Sequence, residues 1–133
     1  MIKKRRRGTV IVETPKGILI ASGRRKVFLL PGGEANKHES RRKAAMRELR
    51  EETGLHSLSS HYLFKFKGAI HKSYKGGHFQ DYHKVFLIKT YGKLRPRHEV
   101  KYVAWYKPDS KLRISGITKE IIRKYYSLKH RHI

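Results

Sequence analysis

The chain lacks cysteine altogether. That absence excludes a disulfide framework, a zinc–thiolate site and a cysteine nucleophile, and it suits a reducing compartment. Long apolar runs are missing as well, since residues 9–21, which follow a basic start, are interrupted by Glu13, Pro15, Lys16 and Gly17. No stretch approaches the roughly 18 apolar residues of a membrane span or fits a secretion signal. We therefore expect a cytoplasmic protein with no membrane segment.

Acidic residues are also scarce, because 33 Lys and Arg stand against 10 Asp and Glu, which gives a formal net charge of +23. Such an excess favours anionic partners, whether phosphorylated small molecules, nucleic acid or an anionic surface. The alternative is a solvated basic surface with no dedicated partner, so nucleic-acid binding stays open. Residues 1–8, with Lys3, Lys4 and three arginines, are interpreted as a basic N-terminal arm.

The length of 133 residues is typical of one domain, and 38% apolar residues can build one core. We expect a single domain over residues 1–133. Its pattern predicts a hairpin (9–13 and 17–22), a short strand (27–30), a helix (39–53), three further strands (62–70, 82–90 and 100–106) and a C-terminal helix (about 116–128). This order of elements indicates an α/β fold, a mixed sheet with a helix on each side.

The few acidic residues are concentrated in one segment, since five of the ten lie within residues 33–55. On a helix Glu48, Glu51 and Glu52 stand at positions i, i+3 and i+4, so their carboxylates project within an arc of roughly 100°. Like charges at these spacings destabilise a helix by roughly 0.2 to 0.5 kcal/mol per pair. A divalent cation that prefers oxygen ligands, magnesium in particular, would offset that repulsion.

A second interpretation of the same helix is a surface element whose acids are neutralised by Lys43, Arg47 and Arg50. The flanking residues favour the metal interpretation. Pro31-Gly32-Gly33 forms a tight turn with exposed backbone before the helix, and Gly54 stands where a left-handed C-terminal cap is expected. Backbone carbonyls of such a turn are candidates for additional metal ligands.

These residues resemble the signature of the Nudix hydrolases, which is G, five residues, E, seven residues, then R-E-U-x-E-E-x-G-U, where U is a bulky aliphatic residue. Every fixed position is satisfied, by Gly33, Glu39, Arg47, Glu48, Leu49, Glu51, Glu52, Gly54 and Leu55. The resemblance implies an α/β/α sandwich around a mixed central sheet. In that fold the motif forms a loop, the catalytic helix and a second loop.

The resemblance also implies roles for single residues. Glu48, Glu51 and Glu52 would bind Mg²⁺ or Mn²⁺, with the Gly32 carbonyl as a further ligand. Gly33, Glu39, Arg47 and Gly54 would be structural, with Glu39 and Arg47 paired. Water would attack a phosphorus atom, with catalysis by Glu48, Glu52 and Glu99. The general base would be Glu48 or an acid outside the motif, for which Glu99 and Asp81 are the candidates.

Substrate contacts are harder to identify because specificity in this family comes from residues outside the motif. Arg24, Arg25 and Arg41 could bind phosphates through their guanidinium forks. Tyr74 and Tyr82 lie where relatives acting on dinucleoside polyphosphates often carry a base-stacking tyrosine. The tail histidines, His130 and His132, are not expected to bind a ligand.

The sequence therefore predicts a metal-dependent hydrolase of a diphosphate bond in a nucleoside diphosphate linked to another group. A nucleoside triphosphate or a dinucleoside polyphosphate is the expected substrate. Two alternatives stay open: an RNA 5′-end pyrophosphohydrolase, and an RNA-binding or regulatory module on the same fold. The oligomeric state is not predicted.

Overall fold

A computed structural model describes residues 1–130, so His132 lies outside the described residues. The elements in chain order are β1 (Ile2–Ile11), β2 (Glu13–Thr14), β3 (Gly17–Ser22), β4 (Gly32–Glu34), α1 (Arg41–Thr53), β5 (His56–Lys72), β6 (His78–Tyr91), β7 (Tyr102–Tyr106) and α2 (Gly116–His130). Within these residues no helix is both long and apolar enough to cross a membrane.

The strands form two sheets. In the four-stranded sheet the order is β4-β1-β6-β5, and β1 runs parallel to β6 while the other neighbours are antiparallel. The three-stranded sheet is antiparallel, in the order β2-β3-β7. The predicted mixed sheet is thus confirmed, although a second sheet accompanies it.

Alternation along the strands divides the core between two faces, because successive side chains of a strand point to opposite sides. Val10, Leu19 and Phe86 pack with Ala45 and Leu49 of α1. The residues next to these in sequence point to the opposite face and form a second apolar cluster. There Ile11, Ile18, Ile20 and Val85 pack with Ile121, Ile122 and Tyr125 of α2. One helix therefore covers each face, as the α/β/α prediction requires.

The basic N-terminal arm was a wrong interpretation. Residues 2–8 belong to β1, which pairs with β6 from Ile2–His78 to Ile11–Leu87. Backbone hydrogen bonds of a ladder do not require apolar side chains, so a run of lysine and arginine is compatible with an inner strand that has one solvated face. The side chain of Arg5 is also held, since Asp81 accepts its Nε–H at 2.7 Å.

Residues 27–30 do not form the predicted strand. Phe28 and Leu29 make only isolated bridges, to Ile114 and Ala21. The helix begins at Arg41 rather than 39, because the Ser40 hydroxyl accepts the Lys43 N–H and caps the first turn. At its other end Gly54 has φ 77° and caps the helix, as predicted.

Candidate active site

Helix α1 is anchored on the sheet by its buried Ala45 and Leu49. This packing presents Glu48, Glu51 and Glu52 on another side of the helix. Glu48 lies against the turn that precedes the helix, because a Cβ on Gly33 would come within 2.6 Å of its Cγ. The side chain of Glu51 is 42% exposed. The three glutamates therefore differ in environment although they are neighbours on the helix.

Glu52 lies at the inner side of this cluster. Its Oε1 accepts a hydrogen bond of 3.1 Å from the backbone N–H of Gly32. Burial raises the pKa of Glu52 to about 7, and the negative charges of Glu48 and Glu99 act in the same direction. The site thus concentrates carboxylates whose mutual repulsion a bound cation would relieve.

The loop between β6 and β7 brings Glu99 to this place. The backbone N–H groups of Arg95 and Arg97 donate to the carbonyls of Thr53 and Glu52, at 2.7 and 3.0 Å, and so fasten the loop to the end of α1. Glu52 and Glu99 then line one cavity of about 210 Å³, together with Arg7 and the backbone around Gly32. An acid outside the motif therefore faces the same space as the helix.

Arg47 connects the motif residues with one another. Its Nε and Nη2 donate to the two carboxylate oxygens of Glu39, at 2.9 and 3.0 Å. Its Nη1 donates to Glu48 at 2.6 Å and to Glu51 at 3.3 Å. The hydrogen bond from Arg47, with one from the Asn36 N–H, lowers the pKa of Glu39 to about 2. This pairing ties the loop before α1 to the middle of the helix.

The turn before α1 depends on two glycines. Gly32 has φ +146°, a conformation that L side chains rarely adopt, and a side chain there would collide with the Gly8 carbonyl of β1. At Gly33 a Cβ would lie 2.5 Å from the carboxyl carbon of Glu48. The turn can pass this close to β1 at Gly32 and to Glu48 of α1 at Gly33 only because both positions lack a side chain.

The donor set fits a hard divalent cation, since it consists of carboxylates beside the backbone of Gly32, whose N–H contacts Glu52. Among residues 1–130, however, no group of three His, Asp or Glu side chains is already close enough to hold an ion. The carboxylates instead engage Arg47 and the Gly32 N–H. Cation binding would therefore require these side chains to exchange partners.

A second cavity, of about 280 Å³, lies between the first sheet and α2. It shares Arg7, Leu29, Leu30 and Gly32 with the cavity at Glu52. Its polar wall is formed by neighbouring strands, where Asp81 binds Arg5 through two hydrogen bonds and His83 shares a hydrogen bond of 2.7 Å with Thr9. Burial, with the charge of Arg7, lowers the pKa of His83 to about 4. His83 is therefore neutral at pH 7.

The residues expected to contact substrate are not gathered around Glu52. Arg24 and Arg25 are exposed in the turn after β3, and Tyr74 is fully exposed at the tip of the β5–β6 hairpin. Tyr82 lies on the other face of β6 from His83, and Arg41 donates to the carbonyl of Tyr82 at 3.2 Å. None of the five lines either cavity.

Sequence reasoning overlooked the polar wall of the second cavity, apart from Asp81. Arg5, Arg7 and Thr9 lie at spacing two and therefore share one face of β1. They stand opposite Asp81, His83 and Val85 in the parallel register. The alternation was present in the sequence, but the consecutive basic residues concealed it.

The structure combines a mixed α/β fold with a cluster of glutamates on one helix beside a glycine turn. The model of the NUDIX domain matches residues 3–125, and the chain therefore belongs to the Nudix hydrolases, the pyrophosphohydrolase class predicted from the motif. No curated protein matches the chain.

Solved structures agree with this assignment. A Nudix hydrolase family member from Chromobacterium violaceum is 36% identical over 96% of this chain and 79% of its own, with a TM-score of 0.78. The MutT NUDIX hydrolase from Burkholderia pseudomallei shares the fold at 19% identity, over 91% of this chain and 97% of its own, with a TM-score of 0.76. An ADP-ribose pyrophosphatase from Streptococcus suis is 16% identical, over 86% of this chain and 81% of its own, with a TM-score of 0.61.

Proposed function

We propose that this enzyme hydrolyses a diphosphate bond in a nucleotide and depends on Mg²⁺ or Mn²⁺ held by Glu48, Glu51, Glu52 and the carbonyl of Gly32. One observation carries the proposal: Glu52 is partly buried beside Glu48 and Glu99 in a cavity bordered by the Gly32 turn. A carboxylate cluster in such a place costs stability unless a cation joins it. The metal would neutralise charge on the phosphate oxygens and lower the pKa of the attacking water.

The chain's own residues have three tasks in this reaction. Arg47 donates to Glu48 and Glu51 and so orients both carboxylates until a cation replaces its guanidinium as their partner. Glu99 faces the same cavity and is our candidate for the group that takes the proton from water, with Glu48 as the alternative. Arg7 borders both cavities, where its guanidinium can bind the phosphate chain.

The second cavity supports a nucleotide as substrate. It adjoins the cluster at Arg7 and Gly32, and its apolar side is formed by Leu30, Ile117 and Ile121. A flat base would pack there while Asp81, Thr9 and His83 offer hydrogen-bonding groups. Nucleoside triphosphates and dinucleoside polyphosphates are the substrates we propose.

The test is phosphate or pyrophosphate release from a panel of nucleotides, with and without Mg²⁺, by the wild type and by Glu52→Gln. Glu120→Gln, which removes an exposed acid on α2, is the matched control. We expect metal-dependent release that falls by at least about 100-fold in Glu52→Gln and is unchanged in the control. A wild type as inert as Glu52→Gln on every nucleotide would favour the binding or regulatory module instead.

A further inference from the structure

The outer face of β1, β6 and β5 beside the start of α1 carries a dense group of cations. Strand alternation turns this face away from the second cavity, because Asp81 and His83 point one way while Tyr82 and Lys84 point the other. In the sheet register Arg6 stands beside Tyr82, and Lys65 stands opposite Lys84. We call this surface the basic face; its cations are Lys4, Arg6, Arg41, Arg42, Lys65, Lys67 and Lys84.

These cations repel one another. The positive charge of Arg41 lowers the pKa of Lys84, with partial burial and the charges of Lys65, Arg6 and Arg42 acting in the same direction. Across residues 1–130, none of the seven cations of the basic face forms an ion pair with an acidic side chain. Like charges directly opposite each other destabilise a sheet, so an anionic partner would relieve a cost built into this surface.

Two tyrosines are interleaved with the cations. Tyr62 is 46% exposed, and the Nζ atom of Lys84 lies 5.8 Å from its ring centre. Lys4 Nζ lies 5.5 Å from the ring centre of Tyr82. Single-stranded nucleic acid combines a line of phosphates with planar bases, and proteins bind it through cations and aromatic rings together. An acidic peptide would use the charges but has no planar base to stack on the exposed ring of Tyr62.

We propose that the basic face binds single-stranded nucleic acid, with lysine and arginine side chains on its phosphates and Tyr62 stacked on a base. This site is separate from the second cavity, because the two lie on opposite faces of the sheet. It is also separate from the glutamates, because the basic face adjoins the start of α1 whereas Glu48, Glu51 and Glu52 lie in its second half. A strand bound on the basic face leaves the second cavity open. The enzyme can therefore hold a nucleic acid and a nucleotide at the same time.

Fluorescence anisotropy with labelled RNA and DNA single strands of about 12 nucleotides tests the site. The key variant is Lys4→Gln/Lys65→Gln/Lys84→Gln, which removes one charge from each of the three strands. The matched control is Lys107→Gln/Lys111→Gln/Lys119→Gln, three exposed lysines that follow β7 or lie on α2. We expect the key variant to bind roughly 10- to 100-fold more weakly and the salt slope of its log affinity to shrink by about 2, with little change in the control.

Equal losses in the two triple variants would overturn the proposal, because the binding would then follow net charge alone. Tyr62→Leu adds a test of stacking: we expect about 10-fold weaker binding of oligonucleotides and unchanged binding of heparin, which has no bases. Vesicles of anionic lipid that compete with RNA in a Tyr62-independent way would identify a membrane-binding surface instead.

The single variant Lys84→Gln keeps the test decisive if the triple variant does not fold, since it must also weaken binding more than Lys119→Gln does. Hydrolysis of a mononucleotide should be the same in wild type, key variant and control. A wild type that binds RNA but hydrolyses nothing would refute the proposed function alone. A wild type that hydrolyses nucleotides but binds no oligonucleotide would refute the basic face alone.

Discussion

The backbone N–H of Gly32 donates a hydrogen bond of 3.1 Å to Oε1 of Glu52. This contact joins the turn before α1 to the last turn of the helix, so both ends of the motif meet at one carboxylate. Burial and the negative charges of Glu48 and Glu99 raise the pKa of Glu52, so the motif closes at the place where these three carboxylates act on one another. Structure and proposed chemistry thus depend on the same few atoms.

Magnesium should stabilise the folded protein. A ligand that binds only the folded state raises the free energy of unfolding by about 2.7 kcal/mol when its concentration is 100 times its Kd. Magnesium meets this condition because the unfolded chain has no carboxylate cluster to bind it. We expect a higher melting temperature of the wild type with millimolar Mg²⁺ and no such rise for Glu48→Gln/Glu52→Gln, measured by differential scanning fluorimetry. The exposed Glu120→Gln variant should behave like the wild type. A melting temperature that does not respond to metal would count against the site.

Gly33→Ala should reduce activity, because the new Cβ would meet Cγ and Cδ of Glu48 at 2.6 and 2.5 Å. The Glu48 carboxylate, the far end of a flexible side chain, would have to move away from Arg47, at a cost of at most about 1–3 kcal/mol in the free energy of unfolding. Gly116→Ala is the control, since no atom lies within 4 Å of the Cβ it would add. Urea unfolding and nucleotide hydrolysis measure the two effects. Full activity in Gly33→Ala would show that the position of Glu48 is not critical.

Arg47→Lys should weaken both the fold and the site. Lysine keeps the charge but cannot reproduce the two-pronged contact with Glu39 while also reaching Glu48. We expect the free energy of unfolding to fall by about 1.5–3 kcal/mol, the range for hydrogen bonds to charged groups. Arg50→Lys, at an exposed position of the same helix, should change it little. Equal stability of the two variants would indicate that the Arg47 network contributes only what an exposed ion pair does.

His83 should make the protein sensitive to acid. Its pKa falls from 6.5 to about 4 on folding, so between these pH values the unfolded chain binds more protons. The stabilisation is therefore complete above pH 6.5 and is lost as the pH falls towards 4, with an upper limit of about 3 kcal/mol.

The contribution of Glu52 to the free energy of unfolding depends on pH in the opposite direction. Its pKa rises from 4.5 to about 7 on folding, so its stabilisation is lost as the pH rises through this range. The informative quantity is therefore the difference in unfolding free energy between wild type and His83→Asn. Measured by urea unfolding without metal, that difference should increase by about 2–3 kcal/mol from pH 4 to pH 6.5 and then level off. A difference independent of pH would show that His83 is not held neutral.

The chain's sequence predicted the features that depend on local spacing. The family signature spans 23 residues and contains both the helical positions of Glu48, Glu51 and Glu52 and the cap at Gly54. Over so short a segment helix geometry fixes which side chains are neighbours, and the left-handed cap requires glycine. For the same reason the type of fold and the enzyme class were predicted correctly. The pairing of Glu39 with Arg47 also came from the signature, and the structure contains it.

Contacts between distant segments were decided by the tertiary structure. The basic start became strand β1 only because β6 supplies a ladder, and Arg5 meets Asp81 across 76 positions of sequence. The same ladder sorts odd and even residues onto two faces, which separates the second cavity from the basic face. A run of consecutive cations contains no information about the strand beside it, and so neither surface could be seen before the chain was folded.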